Sequence, residues 1–519
     1  MAIVHADTDS VIEPAAAQPG AGLACVAALT LILDLANGVE EESSQRTAAF
    51  AWHLASEAGL SPADRGTAFM AGLLYHIGCT AFASTQARFA DDDIALRAAL
   101  GKSDRESPRS LVWALLRANQ RAGSRIAALI DVGLHHADIR DHWMREACGA
   151  ARSLATHLGC TSATLTALGE MFERWDGRGG PHGLRGDALS VPGRVMQAAH
   201  VAVLFHTSGG TDVARRALAQ AARGTLDPVW AARAESALQV LDTPSSLALA
   251  WSASESLAAA AAISPFRAAE VFGEFADLQT PHTRGHSAAV ARLAHGAGVQ
   301  LGLAQEELVA LDLAAHLHDV GHVALPTALW MQTRPWSDNE RRRAQTHVSV
   351  TERVLAQAPV LQEAARIAGA HHERLDGSGY PRGARQSQLE RPSRLLAVVE
   401  MTCNRLEDRP HRRACSVTEV ALQLVREANE GRLDAACVDV VQQTLGQPRQ
   451  RTTGAGLQLT EREVDVLRPL ATGQTNKQIA RALGISDRTV QTHTQHIYAK
   501  LGVDTRAGAA LAAARAGLL

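Results

Sequence analysis

The chain has few aromatic residues, no Cys-x-x-Cys pair, little net charge and no apolar run long enough to cross a bilayer. Its 7 cysteines are odd in number and widely scattered, which predicts reduced thiols in a cytoplasmic protein. A formal net charge of -3 indicates no particular partner, so any nucleic-acid surface must be local. The most apolar run near the start, residues 22–33, is too short to span a membrane and follows acidic residues. We therefore expect a buried helix there, without a signal peptide or membrane anchor.

What the chain does contain is alanine, leucine and arginine in amphipathic patterns, with few β-branched runs. This composition predicts an all-α fold. A length of 519 residues is too great for one core, so three or more domains are expected.

An internal repeat divides most of the chain into two copies. The stretch 173–181 (ERWDGRGGP) matches 373–381 (ERLDGSGYP) at an offset of 200 residues, which also pairs Arg194 with Arg394 and His200 with Glu400. Further upstream, residues 73–78 (LLYHIG) match 316–321 (HLHDVG) at an offset of 243. The changed offset predicts about 43 extra residues in the first copy between these two landmarks.

Histidines and carboxylates recur at helix-length intervals in the second copy. His371 and His372 precede a glutamate and a glycine-rich turn, and the remaining candidates are His286, His318, Asp319, His347 and Glu400. Imidazole is the commonest protein metal ligand, and inward-facing His and carboxylate groups of a helical bundle can hold two divalent ions. Asp319 is the natural bridging ligand, because one carboxylate offers an oxygen to each ion. We expect His347 to begin a helix, residues 394–401 to carry Glu400 inward, and His282 to share a face with His286 if one helix covers both.

The first copy lacks these ligands. Ser43 stands in the position of His286, Tyr75 and His76 in those of His318 and Asp319, and Met171 and Phe172 in those of His371 and His372. Thioether and phenyl groups at the paired-histidine position predict a packed apolar site without a cation. The first copy is therefore expected to keep the helical scaffold without the metal centre. Packing, dimerisation and sensing are the alternatives for its role.

The motifs of the second copy resemble the HD-GYP branch of the HD phosphohydrolase superfamily over residues 270–415, including Asp408-Arg409-Pro410. The resemblance implies an all-helical domain with a di-iron or di-manganese centre that hydrolyses cyclic di-GMP. It implies that His286, His318, Asp319 and Glu400 hold one ion, and that Asp319, His347, His371 and His372 hold the other. Asp319, His322 and Tyr380 are then the candidate catalytic residues, with Tyr380 lining the nucleotide pocket.

Three positions depart from the family pattern, which usually has Asp at 400, Lys at 322 and Tyr at 282. His322 could replace a phosphate-binding cation or become an extra ligand, and His282 could recruit a third metal. Two alternatives follow: a sensor that binds a cyclic dinucleotide but hardly cleaves it, or a phosphohydrolase acting on another nucleotide. His295, His316 and His411 are interpreted as structural.

The C-terminal segment shows successive helix start and stop signals. Thr460 to Glu463 and Thr475 to Gln478 are capping boxes, Ser486 caps a third helix, and a fourth is expected over 505–514. Pro469 lies inside the first helix, where it removes one backbone bond. Two short helices joined by a tight Gly-Ile-Ser turn predict helix-turn-helix geometry.

This segment resembles the DNA-binding domain of LuxR-type transcription regulators, which implies that the third helix enters the major groove. Gln bonds adenine edges, whereas cationic side chains hold phosphates. The candidate DNA-binding residues are Lys477, Arg488, Gln491, Thr492, Gln495, Lys500 and Arg506. A helical interaction module without DNA is the alternative.

The sequence therefore predicts two tandem HD-type bundles and a four-helix LuxR-type domain, in a cytoplasmic homodimeric regulator with two iron or manganese ions. Its expected partners are DNA and a cyclic dinucleotide, with no membrane. The predicted units are a disordered tail (1–22), a degenerate HD-like domain (23–245, the first copy), a connector (246–264), an HD-GYP-like domain (265–447, the second copy), a linker (448–456) and the DNA-binding domain (457–519).

Overall fold

A computed structural model describes residues 21–103, 108–119, 122–243, 263–446, 459–471, 474–501 and 509. Most of the predicted tail, nearly all of the connector and the whole linker lie outside these residues, as does the fourth C-terminal helix apart from Ala509. The last two residues of the predicted tail, 21 and 22, are helical instead, because they begin the first helix. The described residues contain helices and no named β-strand, which confirms the all-α prediction. No described helix is both long and apolar enough to cross a membrane.

Ten helices belong to the first copy, nine to the second and three to the C-terminal domain, counting described residues only. In chain order they are α1 (Ala21–Asn37), α2 (Ser43–Glu57), α3 (Pro62–Leu73), α4 (Ala83–Gln86), α5 (Asp93–Gly101), α6 (Pro108–Ala118), α7 (Ala122–His157), α8 (Ser162–Gly169), α9 (Val191–Ala221), α10 (Pro228–Ser236), α11 (Pro265–Asp277), α12 (His286–Leu301), α13 (Gln305–Leu317), α14 (Thr327–Trp330), α15 (Asp338–Leu355), α16 (Gln362–Ala368), α17 (Arg391–Leu406), α18 (Val417–Asn429), α19 (Ala435–Thr444), α20 (Glu461–Ala471), α21 (Asn476–Leu483) and α22 (Asp487–Leu501).

The two copies pack against each other reciprocally. Helix α1 contacts α11, its counterpart at an offset of 243 residues, and also the 3₁₀ turn Val320–Ala324 and α15. In return α11 contacts the equivalent turn Cys79–Phe82 and α7. Side chains from both copies form one hydrophobic cluster, in which α1 is buried on nearly all sides. A helix that is apolar all round belongs inside a core, so the predicted buried helix over 22–33 lies at the junction of the copies.

The same polar contacts recur in both copies. Asp34 accepts hydrogen bonds from the backbone N–H and hydroxyl of Ser44, and Asp277 accepts the equivalent pair from Ser287. Glu173 accepts from the N–H groups of residues 182 and 184, and Glu373 from those of 382 and 384. Buried carboxylates that satisfy backbone donors stabilise the turns around them.

Two close backbone contacts show which residue of the first copy corresponds to His347 of the second, beyond the extra residues of the first copy. A Cβ added to Gly78 would lie 2.0 Å from the carbonyl oxygen of Ala147, and one added to Gly321 would lie 2.1 Å from that of His347. Ala147 is therefore the counterpart of His347, and the extra residues lie between Gly78 and Ala147. Helices α5 and α6 fall in this interval, and we call them the inserted segment. The second copy has only α14 and the start of α15 between Gly321 and His347.

Candidate metal centre

Four distant parts of the second copy bring their side chains to one carboxylate. His286 opens α12, His318 and Asp319 follow α13, His347 lies within α15, and His371 follows α16. Oδ1 of Asp319 lies 3.4 Å from Nε2 of His347 and 3.4 Å from Nε2 of His371. Oδ2 lies 3.4 Å from Nε2 of His318 and 3.8 Å from Nε2 of His286. The two oxygens of Asp319 thus face two separate sets of imidazoles.

Local hydrogen bonds fix the protonation of three of these rings. In each ring, Nδ1 lies close to the backbone carbonyl oxygen of the residue three positions earlier. The distance is 2.9 Å from His318 to Ala315, 2.6 Å from His347 to Ala344, and 2.6 Å from His371 to Ala368. A carbonyl oxygen only accepts, so Nδ1 carries a proton in each ring, and Nε2 is the nitrogen that can offer a lone pair to a metal ion or bind a second proton. Nε2 of His347 and Nε2 of His371 lie only 3.4 Å apart. Lone pairs that converge in this way call for a cation between them.

The electrostatics of the centre also favour a cation. Nε2 of His286, Nε2 of His318 and Oδ1 of Asp319 are buried without a hydrogen-bond partner. Burial raises the pKa of Asp319, but the surrounding histidines, His318 first, outweigh this effect and hold the pKa well below its ordinary value. Burial lowers the pKa of His318, yet the Asp319 carboxylate raises it to about 9. The donor set of imidazole and carboxylate suits a divalent transition metal, so the residues fit the predicted ions.

Two groups of side chains have ligand atoms close enough to share an ion. One consists of His286, His318 and Asp319, and the other of Asp319, His347, His371 and His372, with all ligand atoms in a group within 4.8 Å of one another. This division matches the two ligand sets implied by the family resemblance, except for Glu400. Glu400 is buried beside the centre, with Oε2 3.9 Å from Nδ1 of His372, but belongs to neither group.

The two predicted catalytic residues besides Asp319 lie at the edge of the centre. Nε2 of His322 is 3.5 Å from Oδ1 of Asp319, and the His322 ring packs 4.0 Å from that of Trp330, measured between centroids. The ring of Tyr380 stacks on that of His372, with 4.6 Å between centroids. Two pairs of packed rings, His322 with Trp330 and His372 with Tyr380, thus border the centre.

Sequence reasoning missed one carboxylate. Nδ1 of His286 lies 2.9 Å from Oε2 of Glu407, and Arg409 donates a hydrogen bond to the same oxygen at 2.8 Å. A carboxylate behind a ligating histidine orients the ring and strengthens it as a donor. Glu407 follows α17, 121 residues beyond His286, and no motif signalled the pairing. Only the neighbouring Asp-Arg-Pro sequence pointed to this part of the chain.

Two local expectations were wrong. His347 does not begin a helix but lies in the middle of α15, which starts at Asp338 because Ser337 and Glu340 form a capping box. His282 does not share a helical face with His286, because α12 begins at His286 after Gly285 in the left-handed region. His282 joins neither ligand group, and its carbonyl oxygen accepts a hydrogen bond from Arg409.

The equivalent site of the first copy is filled by stacked rings. Tyr75 and His200 stack with 3.8 Å between centroids, and His76 packs edge-on against both. Met171 and Phe172 are buried beside them and leave a narrow cavity that Arg97 also lines. Both groups of described residues with ligand atoms close enough to share an ion lie in the second copy.

The C-terminal domain places the predicted reading residues on one exposed surface. Arg488, Gln491, Thr492 and Gln495 of α22 are exposed, whereas Val490 and Ile497 face the small core. Lys477 is exposed at the start of α21. Lys500 donates to Glu463 at 2.7 Å, so its ammonium already has a partner within the domain. Arg506 lies outside the described residues.

Family models match two parts of the chain. Residues 270–437 match the HD domain, and residues 457–513 match the bacterial regulatory proteins of the luxR family. The second copy is an HD domain. It is joined in this chain to a LuxR-type DNA-binding domain, as predicted.

The similarity to known proteins extends over both copies. The chain is 26% identical over 432 residues to 3'3'-cGAMP-specific phosphodiesterase 3 of Vibrio cholerae, covering 80% of this chain and 93% of that protein. It is 34% identical over 163 residues to the cyclic di-GMP phosphodiesterase response regulator RpfG of Xanthomonas campestris, covering 30% of this chain and 43% of that protein. The crystal structure of a cyclic GMP-AMP specific phosphodiesterase of V. cholerae, V-cGAP3, superposes with a TM-score of 0.54 at 21% identity. That superposition covers 83% of this chain and 99% of the other, and it shows a shared fold.

Proposed function

We propose that the HD domain binds two divalent metal ions and hydrolyses a phosphodiester bond of a cyclic dinucleotide. The observation that carries this proposal is the carboxylate of Asp319, whose two oxygens face two separate sets of buried imidazole nitrogens. Two cations held a few ångströms apart are suited to a phosphodiester, because its transition state spreads negative charge over several oxygens.

One ion would be held by His286, His318 and Asp319, and the other by Asp319, His347, His371 and His372. Glu400 is proposed to complete the first set, because its carboxylate is buried beside the centre and its charge raises the pKa of His318, a member of that set. Iron and manganese are the proposed ions. When bound, the pair would supply a nucleophilic water at neutral pH and neutralise charge on the phosphate.

The remaining residues of the site would bind and orient the substrate. Tyr380 and Trp330 are partly buried rings that border the centre, and they are proposed to stack on a purine base. His322 lies between Trp330 and Asp319, where an N–H of its ring could donate to a phosphate oxygen. The names of the relatives support a cyclic dinucleotide as the substrate, with 3'3'-cGAMP and cyclic di-GMP as the two candidates.

Hydrolysis is tested with the purified full-length chain. The protein is loaded with Mn²⁺ or with Fe²⁺ under anaerobic conditions, and incubated with cyclic di-GMP or 3'3'-cGAMP. Linear dinucleotide and mononucleotide products are then separated by chromatography, while elemental analysis gives the ions per chain. We expect product formation that is lost in Asp319→Ala. Binding of either nucleotide by calorimetry without product would instead support a sensor with little catalytic activity.

We further propose that the C-terminal domain reads DNA through α22, as one half of a homodimer on two half-sites. Arg488, Gln491, Thr492 and Gln495 share the exposed face that would enter the major groove, and Lys477 and Arg506 would contact phosphates. The proposed location is the cytoplasm, where nucleotide and DNA are both accessible. Binding of nucleotide or metal to the HD domain would then change how the two C-terminal domains of the dimer are placed relative to DNA.

DNA binding is tested by gel shift against the promoter region of its own gene. Gln491→Ala should change the preferred sequence, at a cost of about 1–3 kcal/mol for the affected base pair. Lys477→Ala is the matched control, because losing a phosphate contact weakens binding to all sequences and lowers the slope of affinity against salt by about 1. A Gln491→Ala variant with unchanged preference would remove Gln491 from the reading surface.

A further inference from the structure

A buried carboxylate of the first copy bonds directly to the second copy beside the metal centre. Oδ1 of Asp93 accepts a hydrogen bond from the backbone N–H of Thr327 at 2.7 Å, and Oδ2 accepts one from the Thr327 hydroxyl at 2.8 Å. Both residues are fully buried. Asp93 opens α5 of the inserted segment, and Thr327 opens α14 of the HD domain.

Asp93 is itself held firmly on the first copy. The guanidinium of Arg97 pairs with Oδ2 of Asp93 at 2.9 Å. The same guanidinium donates to the carbonyl oxygen of Ala36 at 2.9 Å and to Oε1 of Gln86 at 2.6 Å. Since every branch of this network is buried, the position of Asp93 is fixed by α1 and α4 as well as by α5.

On the other side, Thr327 determines where a wall of the metal centre lies. It begins the single turn of α14, which ends at Trp330. The Trp330 indole N–H donates to the carbonyl oxygen of His322 at 3.2 Å, and its ring packs against the His322 ring. His322 in turn packs against His347, with 4.4 Å between ring centroids. A shift of α14 would therefore move Trp330 and release the ring of His322 beside Asp319.

We propose that Asp93 is a positioning residue for the metal centre, so that the inserted segment of the first copy completes the active site of the second. The catalytic part of this inference rests on the proposed phosphodiesterase function. The path runs from Arg97 and Asp93 through Thr327 to Trp330 and His322. It gives the first copy a role that requires neither a metal nor a ligand of its own.

Two threonines provide a matched pair of variants. Thr327→Val removes the hydroxyl that bonds to Asp93, and Thr80→Val removes another buried inter-copy hydrogen bond of 2.8 Å, from Thr80 to the carbonyl oxygen of Phe275. Each variant loses one buried bond between the copies, but only Thr327 leads to α14. We expect Thr327→Val to lower kcat about tenfold and also to raise KM, because Trp330 and His322 contact the substrate in the proposed function, and Thr80→Val to change both far less. Both should retain the metal content of the wild type, and Thr327→Ser should restore kcat.

Tryptophan fluorescence provides a readout that does not depend on catalysis. Thr327→Val should alter the emission spectrum and the accessibility of tryptophan to acrylamide, and this difference should vanish in a Trp330→Phe background. Thr80→Val should leave both unchanged. If Thr327→Val does not fold, Asp93→Asn takes its place, because it keeps an acceptor for the Thr327 N–H but loses the charge that pairs with Arg97.

The outcomes separate this inference from the proposed function. Equal effects of Thr327→Val and Thr80→Val on kcat and on fluorescence would overturn the positioning role while leaving the phosphodiesterase intact. A wild-type protein that cleaves no cyclic dinucleotide would overturn the proposed function, and the fluorescence comparison would still decide whether Asp93 holds α14 in place. A fluorescence change that persists without Trp330 would also contradict the path.

Discussion

The two copies share a scaffold and differ in their chemistry. In both, a buried aspartate binds the N–H and hydroxyl of a serine at the start of a helix, and a buried glutamate binds two backbone N–H groups beyond the glycine-rich turn. The aspartates are Asp34 and Asp277, and the glutamates are Glu173 and Glu373. These contacts involve the backbone, which explains how they persist where other side chains have changed.

The ligand positions, by contrast, have been replaced without loss of the fold. Ala147 stands in the place of His347, and Met171 and Phe172 in those of His371 and His372. All three substitutes are buried. The same framework therefore packs with apolar side chains at positions where the second copy has its candidate ligands.

The largest expected effect is on the carboxylate that serves both ligand groups. Asp319→Ala should remove metal from both positions and lower hydrolysis by at least about a thousandfold, because Asp319 belongs to both ligand groups. Elemental analysis and product chromatography measure the two effects. His76→Ala, at the equivalent position of the first copy, should leave the metal content unchanged. Loss of metal in His76→Ala would show that the first copy contributes to the centre directly.

A single change makes one ligand position of the second copy resemble the first. His347→Ala introduces the residue found at position 147, and should reduce the bound metal from two ions towards one while lowering the rate by about a hundredfold. Measuring the ions per chain in purified protein decides the point. Retention of two ions at full activity would exclude His347 as a ligand.

The shared glutamates should contribute equally to stability but unequally to activity. Glu173→Ala and Glu373→Ala each leave two partly buried backbone N–H groups without their carboxylate acceptor, which should cost about 1–3 kcal/mol in the free energy of unfolding. Chemical denaturation monitored by circular dichroism measures this. Only Glu373→Ala should also raise KM, because Glu373 holds the turn that carries Tyr380. A fall in stability for only one of the two variants would contradict their equivalence.

The smallest effect concerns the pH dependence of stability. Burial raises the pKa of Asp34 to about 7 and that of Asp277 to about 6. A carboxyl whose pKa is higher in the folded state binds more protons when folded, so it makes the protein less stable as the pH rises from about 4 to about 7. The Tm of Asp34→Asn minus the Tm of wild type should therefore be larger at pH 8 than at pH 5. A difference in Tm that does not vary with pH would mean that Asp34 titrates normally.

Much of the site could be predicted from the sequence, because its ligands lie in short motifs. His318-Asp319 and His371-His372 are adjacent pairs, and the repeat showed which positions had lost them. The predicted capping boxes at Thr460 and Thr475 also form, because an N-cap depends only on residues three apart.

Other features depend on contacts between distant residues and could not be predicted. Nothing in the sequence around Glu407 indicates that it will meet His286, and the bond between Asp93 and Thr327 joins residues 234 positions apart. The start of α15 is a different case. Ser337 and Glu340 form a recognisable capping box, so the expectation that His347 begins the helix overlooked a signal that was present.

The reciprocal packing of α1 and α11 gives this chain the arrangement of a dimer whose two subunits have been joined by a peptide. A fragment starting at residue 265 would expose the surface of α11 that α1 covers, and would need to pair with another copy of itself to bury it. Genetic fusion removes that dependence on concentration. It also allows the two halves to differ: the first lacks the ligand histidines of the second and contains α5, which bonds to the second half through Asp93.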